Sequence, residues 1–274
     1  MDETKLVYFV RPRTVTDFRA TFARVAAGGI TDVVLAPKLG DVGLREKSAA
    51  PRVREMLREL GLNAPACHGL FGEGLDFNHP SAVGWEAMLA AHRKCMAAMR
   101  ACGCETYVVH IGVRAPGCSD GFLWGRVRKA LDALLPHAEA LGIVIALENA
   151  LPGNLGDDPA AIMRVVRDYD SPALGVCLDT GHAHCCGCLM AAIDAMSPRV
   201  VTVHVHDNDG RSDLHLAPGG GTIPWAEVAP RLRRFPALRH IETEAFNSEG
   251  WEYGQAWRHY RKVLFPETGA TPPR

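Results

Sequence analysis

No stretch of this chain is apolar and uncharged for the roughly 20 residues that a membrane-spanning helix requires. The first apolar run, Leu6–Val10, follows Asp2 and Glu3 and meets Arg11-Pro12-Arg13 at once, so the basic start and apolar middle of a secretory signal are lacking too. An excess of charge of one sign is also missing. The 30 Lys and Arg stand against 31 Asp and Glu, a formal net charge of −1, which excludes general attraction to nucleic acid or anionic lipid. The 9 cysteines, an odd number, contain no two Cys-x-x-Cys pairs spaced as in a closed zinc site. Cys185, Cys186 and Cys188 crowd one stretch and Cys102 and Cys104 another; the expectation is reduced thiols packed as small apolar side chains. These absences lead us to expect a soluble, cytoplasmic protein without a membrane or nucleic-acid partner.

What is present is a globular composition. With 47% apolar and 22% charged residues, the 274-residue chain is long enough to bury a large core without disulfides or a structural metal. Short apolar, β-branched runs recur at Leu6–Val10, Ile30–Ala36, Leu62–His68, Thr106–Ile111, Ile143–Asn149, Leu174–Asp179, Val200–His206 and Arg239–Ala245. Between them lie amphipathic segments with a helical period. The plainest is Gly125–Leu141, where Val127, Ala130, Leu131, Leu134, Leu135, Ala138 and Leu141 share a face. Gly61, Gly103 and Gly142 stand just before strands, where helix-ending glycines belong. This alternation predicts an α/β fold, a single (β/α)8 TIM barrel in one domain over residues 1–274, with 266–274 as a frayed tail.

In a closed barrel, alternate strand residues point into the lumen. Taking Ile143, Ile145 and Leu147 as the outward set leaves Val144, Ala146 and Glu148 inward. The same split puts Ala64, Ala66 and His68 inward, then Thr106, Val108 and His110, then Gly175, Cys177 and Asp179. With Val201, Val203 and Val205 outward, Thr202, His204 and His206 face the lumen; with Ile241 and Thr243 outward, His240, Glu242 and Glu244 do. Six consecutive strands thus end, on the inward parity, in His, Asp or Glu at the C-terminal rim, where barrel enzymes place their chemistry. Singly, each such residue has an ordinary structural use as a helix cap, an ion-pair partner or a core histidine. Jointly, carboxylates around one lumen repel unless a cation or shared protons relieve them, and no Lys or Arg lies on the inward parity of those strands. One divalent metal (Mn, Mg, Co, Fe or Zn) is the economical counter-charge for such oxygen and imidazole donors.

Four segments then resemble a known family. Ile145–Asn149 (IALEN), Gly175–His184 (GVCLDTGHAH), His204–Gly210 (HVHDNDG) with Asp213 and His215, and Pro218–Trp225 (PGGGTIPW) are similar to the xylose-isomerase-like TIM-barrel superfamily. The order and spacing hold from about His68 to about Phe246. That superfamily holds isomerases and epimerases of sugars and sugar phosphates together with endonuclease IV. The resemblance implies that Glu148, Asp179 and His204 bind one divalent metal, with Asp207 as the acid of the His-x-x-Asp spacing. It implies a fourth ligand from the last strand. Glu244-Ala-Phe is similar to the epimerase frame and Glu242-Thr to the endonuclease one, so Glu244 is preferred and Glu242 is the alternative. His68, His110, His182 and His215 are the implied substrate contacts. The chain departs from ketose 3-epimerases at Asn154, where they carry a substrate-binding glutamate. It departs again at Gly219-Gly220-Gly221, where many relatives read Gly-Glu-Gly; here the glycines read as flexible, positive-φ loop residues.

The implied chemistry is proton transfer. A metal chelated by a hydroxyl and the adjacent carbonyl of a small sugar acidifies the C–H between them and stabilises the enediolate. Glu148 and Glu244 then serve as acid and base, and isomerisation and epimerisation both remain open. The rival reading is a zinc phosphodiesterase acting on abasic-site DNA. His68, His110, Glu148, Asp179, His182, His204, Asp213, His215 and Glu242 or Glu244 match the nine-ligand, three-zinc pattern of endonuclease IV. Against it stand the balanced charge and Leu214, where that branch has an arginine between the Asp and His. The apolar outer helices permit a homo-oligomer.

Overall fold

The computed structural model describes residues 5–10, 16–39, 42–43, 47–72, 74–79, 81, 84–245 and 251–266. Eight strands, β1 (Lys5–Phe9), β2 (Asp32–Leu35), β3 (Asn63–His68), β4 (Thr106–His110), β5 (Val144–Glu148), β6 (Leu174–Asp179), β7 (Val200–Val205) and β8 (His240–Thr243), pair in parallel in sequence order. β8 closes on β1, so the sheet has no edge. Each strand begins and ends within two residues of its predicted run. A short antiparallel pair, Lys38–Leu39 with Val42–Gly43, follows β2. The helices are α1 (Phe18–Ala27), α2 (Ala50–Glu59), α3 (Trp85–Cys102), α4 (Asp120–Leu141), α5 (Pro159–Tyr169), α6 (Thr180–Cys185), α7 (Leu189–Met196), α8 (Trp225–Leu232) and α9 (Tyr253–Leu264).

Local chemistry sets the helix ends. α4 begins five residues before the predicted Gly125, because the Ser119 side chain accepts a hydrogen bond from the Phe122 N–H and caps the first turn. Gly142, in the left-handed region at φ 66°, ends it. The expected apolar face is buried from Val127 to Ala138, and each leucine on it contributes about 1.5–3 kcal/mol by leaving water.

The outer faces of the strands and the helices form the large core. A separate plug of Val108, Val144, Ala146, Cys177 and Val201 fills the lumen below the rim. Val201 corrects the parity expectation that it points outward. The register of β6 on β7 shifts so that Val176 pairs with Val200 but Cys177 with Thr202, and the extra residue, Val201, turns into the plug. Gly175 makes room for it, since a Cβ there would lie 2.6 Å from a Val201 methyl. The 9 cysteines are free, and Cys67, Cys95, Cys102, Cys104 and Cys177 are buried as expected of small apolar side chains. No helix among the described residues is long and apolar enough to cross a membrane. The predicted frayed tail lies, apart from Pro266, outside the described residues, as does Phe246.

Candidate active site

Strand register brings the rim residues together. His110 pairs with Glu148 across β4–β5, Asp179 with His204 across β6–β7, and His204 with Glu242 across β7–β8. Glu244 follows β8 by one residue. The imidazole of His204 stands at the centre: its Nδ1 is 3.0 Å from Glu148 Oε1, 3.3 Å from Glu244 Oε1 and 3.9 Å from Asp179 Oδ2. One donor atom from each of Glu148, Asp179, His204 and Glu244 lies within 4.8 Å of all the others, and all four residues are buried.

Two further groups adjoin this quartet. On one side Glu148 Oε2 is 3.1 Å from His110 Nε2, and the His110 ring packs on His68 with centroids 5.0 Å apart. On the other, His215 Nε2 is 3.1 Å and His182 Nε2 is 3.7 Å from Asp213 Oδ2. Backbone carbonyls orient both histidines, because His182 Nδ1 donates to Asn149 and His215 Nδ1 donates to Glu244. His215 holds a left-handed φ of 48°, a conformation that favours glycine and needs the surroundings to enforce it.

The donors fit a divalent cation. The ion pairs that the described residues make to Glu148, Asp179 and Glu244 come from histidines, and Asp213 Oδ1 is buried without a hydrogen-bond partner. Three carboxylates and an imidazole withdrawn from water are the oxygen and nitrogen set that such an ion takes.

The two glutamates titrate far apart. Burial opposes ionisation of Glu148, but the His204 and His110 imidazoles outweigh it and hold the carboxyl well below the usual range. Glu244 is pushed up to about 7 by burial, with Glu148 and Asp179 adding to the rise against the pull of His204. His182 and His215 rise to about 10 and about 9, because their carboxylate neighbours overcome the burial that would lower them. His68 falls to about 3, mainly through burial, and stays neutral.

A family profile described as xylose isomerase-like TIM barrel matches residues 22–264. The chain belongs to that family. Over 108 residues it is 36% identical to an uncharacterized protein of Methanocaldococcus jannaschii, covering 38% of this chain and 37% of the other. Over 125 residues it is 27% identical to the fructoselysine 3-epimerase of Escherichia coli O157:H7, covering 43% of each. The matches thus span about two fifths of these curated relatives. Among solved structures, a D-tagatose 3-epimerase-like protein superposes with a TM-score of 0.82 at 21% identity, over 94% of this chain and 97% of that one. The zinc-bound IOLI protein superposes with a TM-score of 0.75 at 16% identity, over 94% and 96%. Both share the fold.

Within this xylose isomerase-like barrel several residues differ from their expected parts. Glu242 joins none of the donor groups found among the described residues. It lies beyond His204, accepting from Thr202 Oγ1 at 2.8 Å and His240 Nε2 at 3.0 Å. Asp207, expected as the acid of the His-x-x-Asp spacing, is a loop organiser: its carboxylate accepts from Gly219 N, Ile223 N and Trp225 Nε1. Of the three glycines only Gly219 has a positive φ, of 88°; Gly221 is small because a Cβ would sit 2.2 Å from the Asn208 carbonyl. Three residues at the site were not singled out from the sequence. His206, inward by parity, contacts Asp179 Oδ1 at 3.1 Å and stacks on His215. Asn149, next to Glu148, clamps the Asp179 backbone with both ends of its amide. Phe71, half exposed, packs 4.4 Å from the His110 ring, and no sequence pattern marks it.

Proposed function

We propose that the protein is a divalent-metal-dependent isomerase or epimerase of a sugar or sugar phosphate. The convergence of Glu148, Asp179, His204 and Glu244 on one buried point carries this reading, since it provides a cation seat and an acid–base pair in one place. When bound there, the cation (Mn, Mg, Co, Fe or Zn) supplies the Lewis acidity that loosens the C–H between a carbonyl and a hydroxyl. Glu148, kept ionised by its imidazole neighbours, takes that proton, and Glu244, held near neutrality, returns one. His68, His110, His182 and His215 ring the quartet and serve the sugar hydroxyls. Phe71 offers an apolar wall to the C–H face of the ring. Glu244 rather than Glu242 is the last-strand ligand, because only its carboxylate shares the cluster. The similarity to a fructoselysine 3-epimerase supports the reading.

The test is solvent exchange. Incubated in deuterated water with a panel of ketoses, aldoses and their phosphates, the metal-loaded enzyme is expected to place deuterium on the carbon next to the carbonyl of its substrate. No exchange on any of them would remove the reading. A second reading is favoured by one observation. His68, His110, Glu148, Asp179, His182, His204, Asp213, His215 and Glu244 all converge, as a three-zinc phosphodiesterase would need. Cleavage of abasic-site DNA, without sugar exchange, would select it.

A further inference from the structure

We propose that Glu242 is a positioning residue: its carboxylate accepts the Nε2 proton of His204 and so leaves Nδ1 as the nitrogen offered to a cation beside Glu148, Asp179 and Glu244. This rests on the metal quartet proposed above. A neutral imidazole carries one N–H and one lone pair, and only the lone pair can bind a cation, so whatever holds the other nitrogen selects the ligating one. His204 Nδ1 faces the three carboxylates of the quartet and, with no cation between them, donates to Glu148 Oε1 at 3.0 Å, whereas Nε2 faces Glu242 Oε2 at 3.3 Å. Both Nε2 and Oε2 are buried with no other hydrogen-bond partner. The Cys177 thiol also lies against this ring, but a neutral thiol accepts weakly beside a carboxylate.

Glu242 is itself fixed. Thr202 Oγ1 and His240 Nε2 both donate to its Oε1, which leaves Oε2 for His204. Glu242 pairs with His204 in the β8–β7 register, and Glu244 lies two residues further along. The last strand therefore furnishes one carboxylate to each side of the same imidazole. A carboxylate accepting from the remote nitrogen also makes the ligating nitrogen more basic, and such partners set metal affinity by about 10–100-fold.

The experiment is calorimetric titration of apoprotein with Mn2+ and with Zn2+, each alone, on wild type, Glu242→Gln, Glu242→Leu, Thr202→Val and Asp179→Asn. Nitrogen-15 NMR of the Zn2+-loaded proteins reports which His204 nitrogen keeps its proton. We expect the wild-type proton on Nε2 and Asp179→Asn without metal uptake. Glu242→Leu should bind about 10–100-fold more weakly, and Glu242→Gln should fall between it and wild type because its amide oxygen still accepts but carries no charge. Wild-type affinity in folded Glu242→Leu, or a wild-type proton on Nδ1, would overturn the proposal. Should Glu242→Leu not fold, unchanged affinity in both Glu242→Gln and Thr202→Val would do the same. Asp179→Asn separates the failures. If it binds metal like wild type, or wild type takes up none, the quartet itself falls; if it loses metal while the Glu242 variants do not, only the positioning role falls.

Discussion

Asp179 serves two neighbours at once, since its carboxylate also accepts from the His182 N–H at 2.7 Å and caps α6. Asp179→Asn keeps the cap but removes the charge, whereas His204→Ala removes the central donor. Both are expected to lose metal uptake at neutral pH by about 100-fold or more in a Mn2+ titration, and wild-type affinity in either would exclude that residue as a ligand. Glu244→Gln fits the same space and should stay folded, yet at saturating metal lose about 100-fold or more of its turnover. If Glu242→Gln is instead the dead variant and Glu244→Gln turns over, the acid–base role moves to Glu242. Away from the rim, buried His92 bonds to the Tyr107 hydroxyl and the Leu75 carbonyl, and burial lowers it to about 4. Its folded value lies below the unfolded one of about 6.5, so the unfolded chain binds the extra proton between them, and His92 loses stability for the fold as pH falls from about 6.5 towards 4. Wild type should therefore lose on the order of 3 kcal/mol relative to His92→Gln over that window in pH-dependent denaturation. Parallel curves would show that His92 does not titrate this way.

Among the connecting elements, the long segment from β7 to α8 depends most on one side chain. The Asp207 carboxylate gathers the N–H groups of Gly219 and Ile223 and the Trp225 indole, while its backbone pairs with Leu216. Asp207→Ala would leave those donors without an acceptor at about 1–3 kcal/mol for each that water cannot reach. We expect a loss of several kcal/mol in chemical denaturation together with faster amide exchange at Gly219 and Ile223. Unaltered exchange there would mean that the segment is held by something else. From sequence Asp207 is only the acid of a His-x-x-Asp spacing, because burial among backbone donors is invisible in one dimension.

For the whole molecule, closing the sheet concentrates the six strand ends on one mouth. Metal count is the measurement suited to that scale. Elemental analysis of protein purified without chelator is expected to give one ion per chain if the quartet alone is filled; three zincs would favour the phosphodiesterase. Chelation should lower Tm, because an ion bound only by the folded state stabilises it and its removal leaves buried carboxylates facing one another. An unchanged Tm and no metal in the untreated protein would contradict the seat.

The amino-acid sequence by itself determined the barrel and its chemical face. Eight β-branched runs separated by amphipathic helices allow little else, and a period of two places Glu148, Asp179, His204 and the last-strand glutamates on the lumen side. Parity has no depth, however: Glu242 and Glu244 share it, and only the stagger of β8 against β7 puts one beside each nitrogen of His204. Nor does it foresee a register shift, which is why Val201 turned inward against expectation. Those choices belong to the tertiary structure, because strand stagger and bulges are set by how the whole sheet closes on itself rather than by neighbours along the chain.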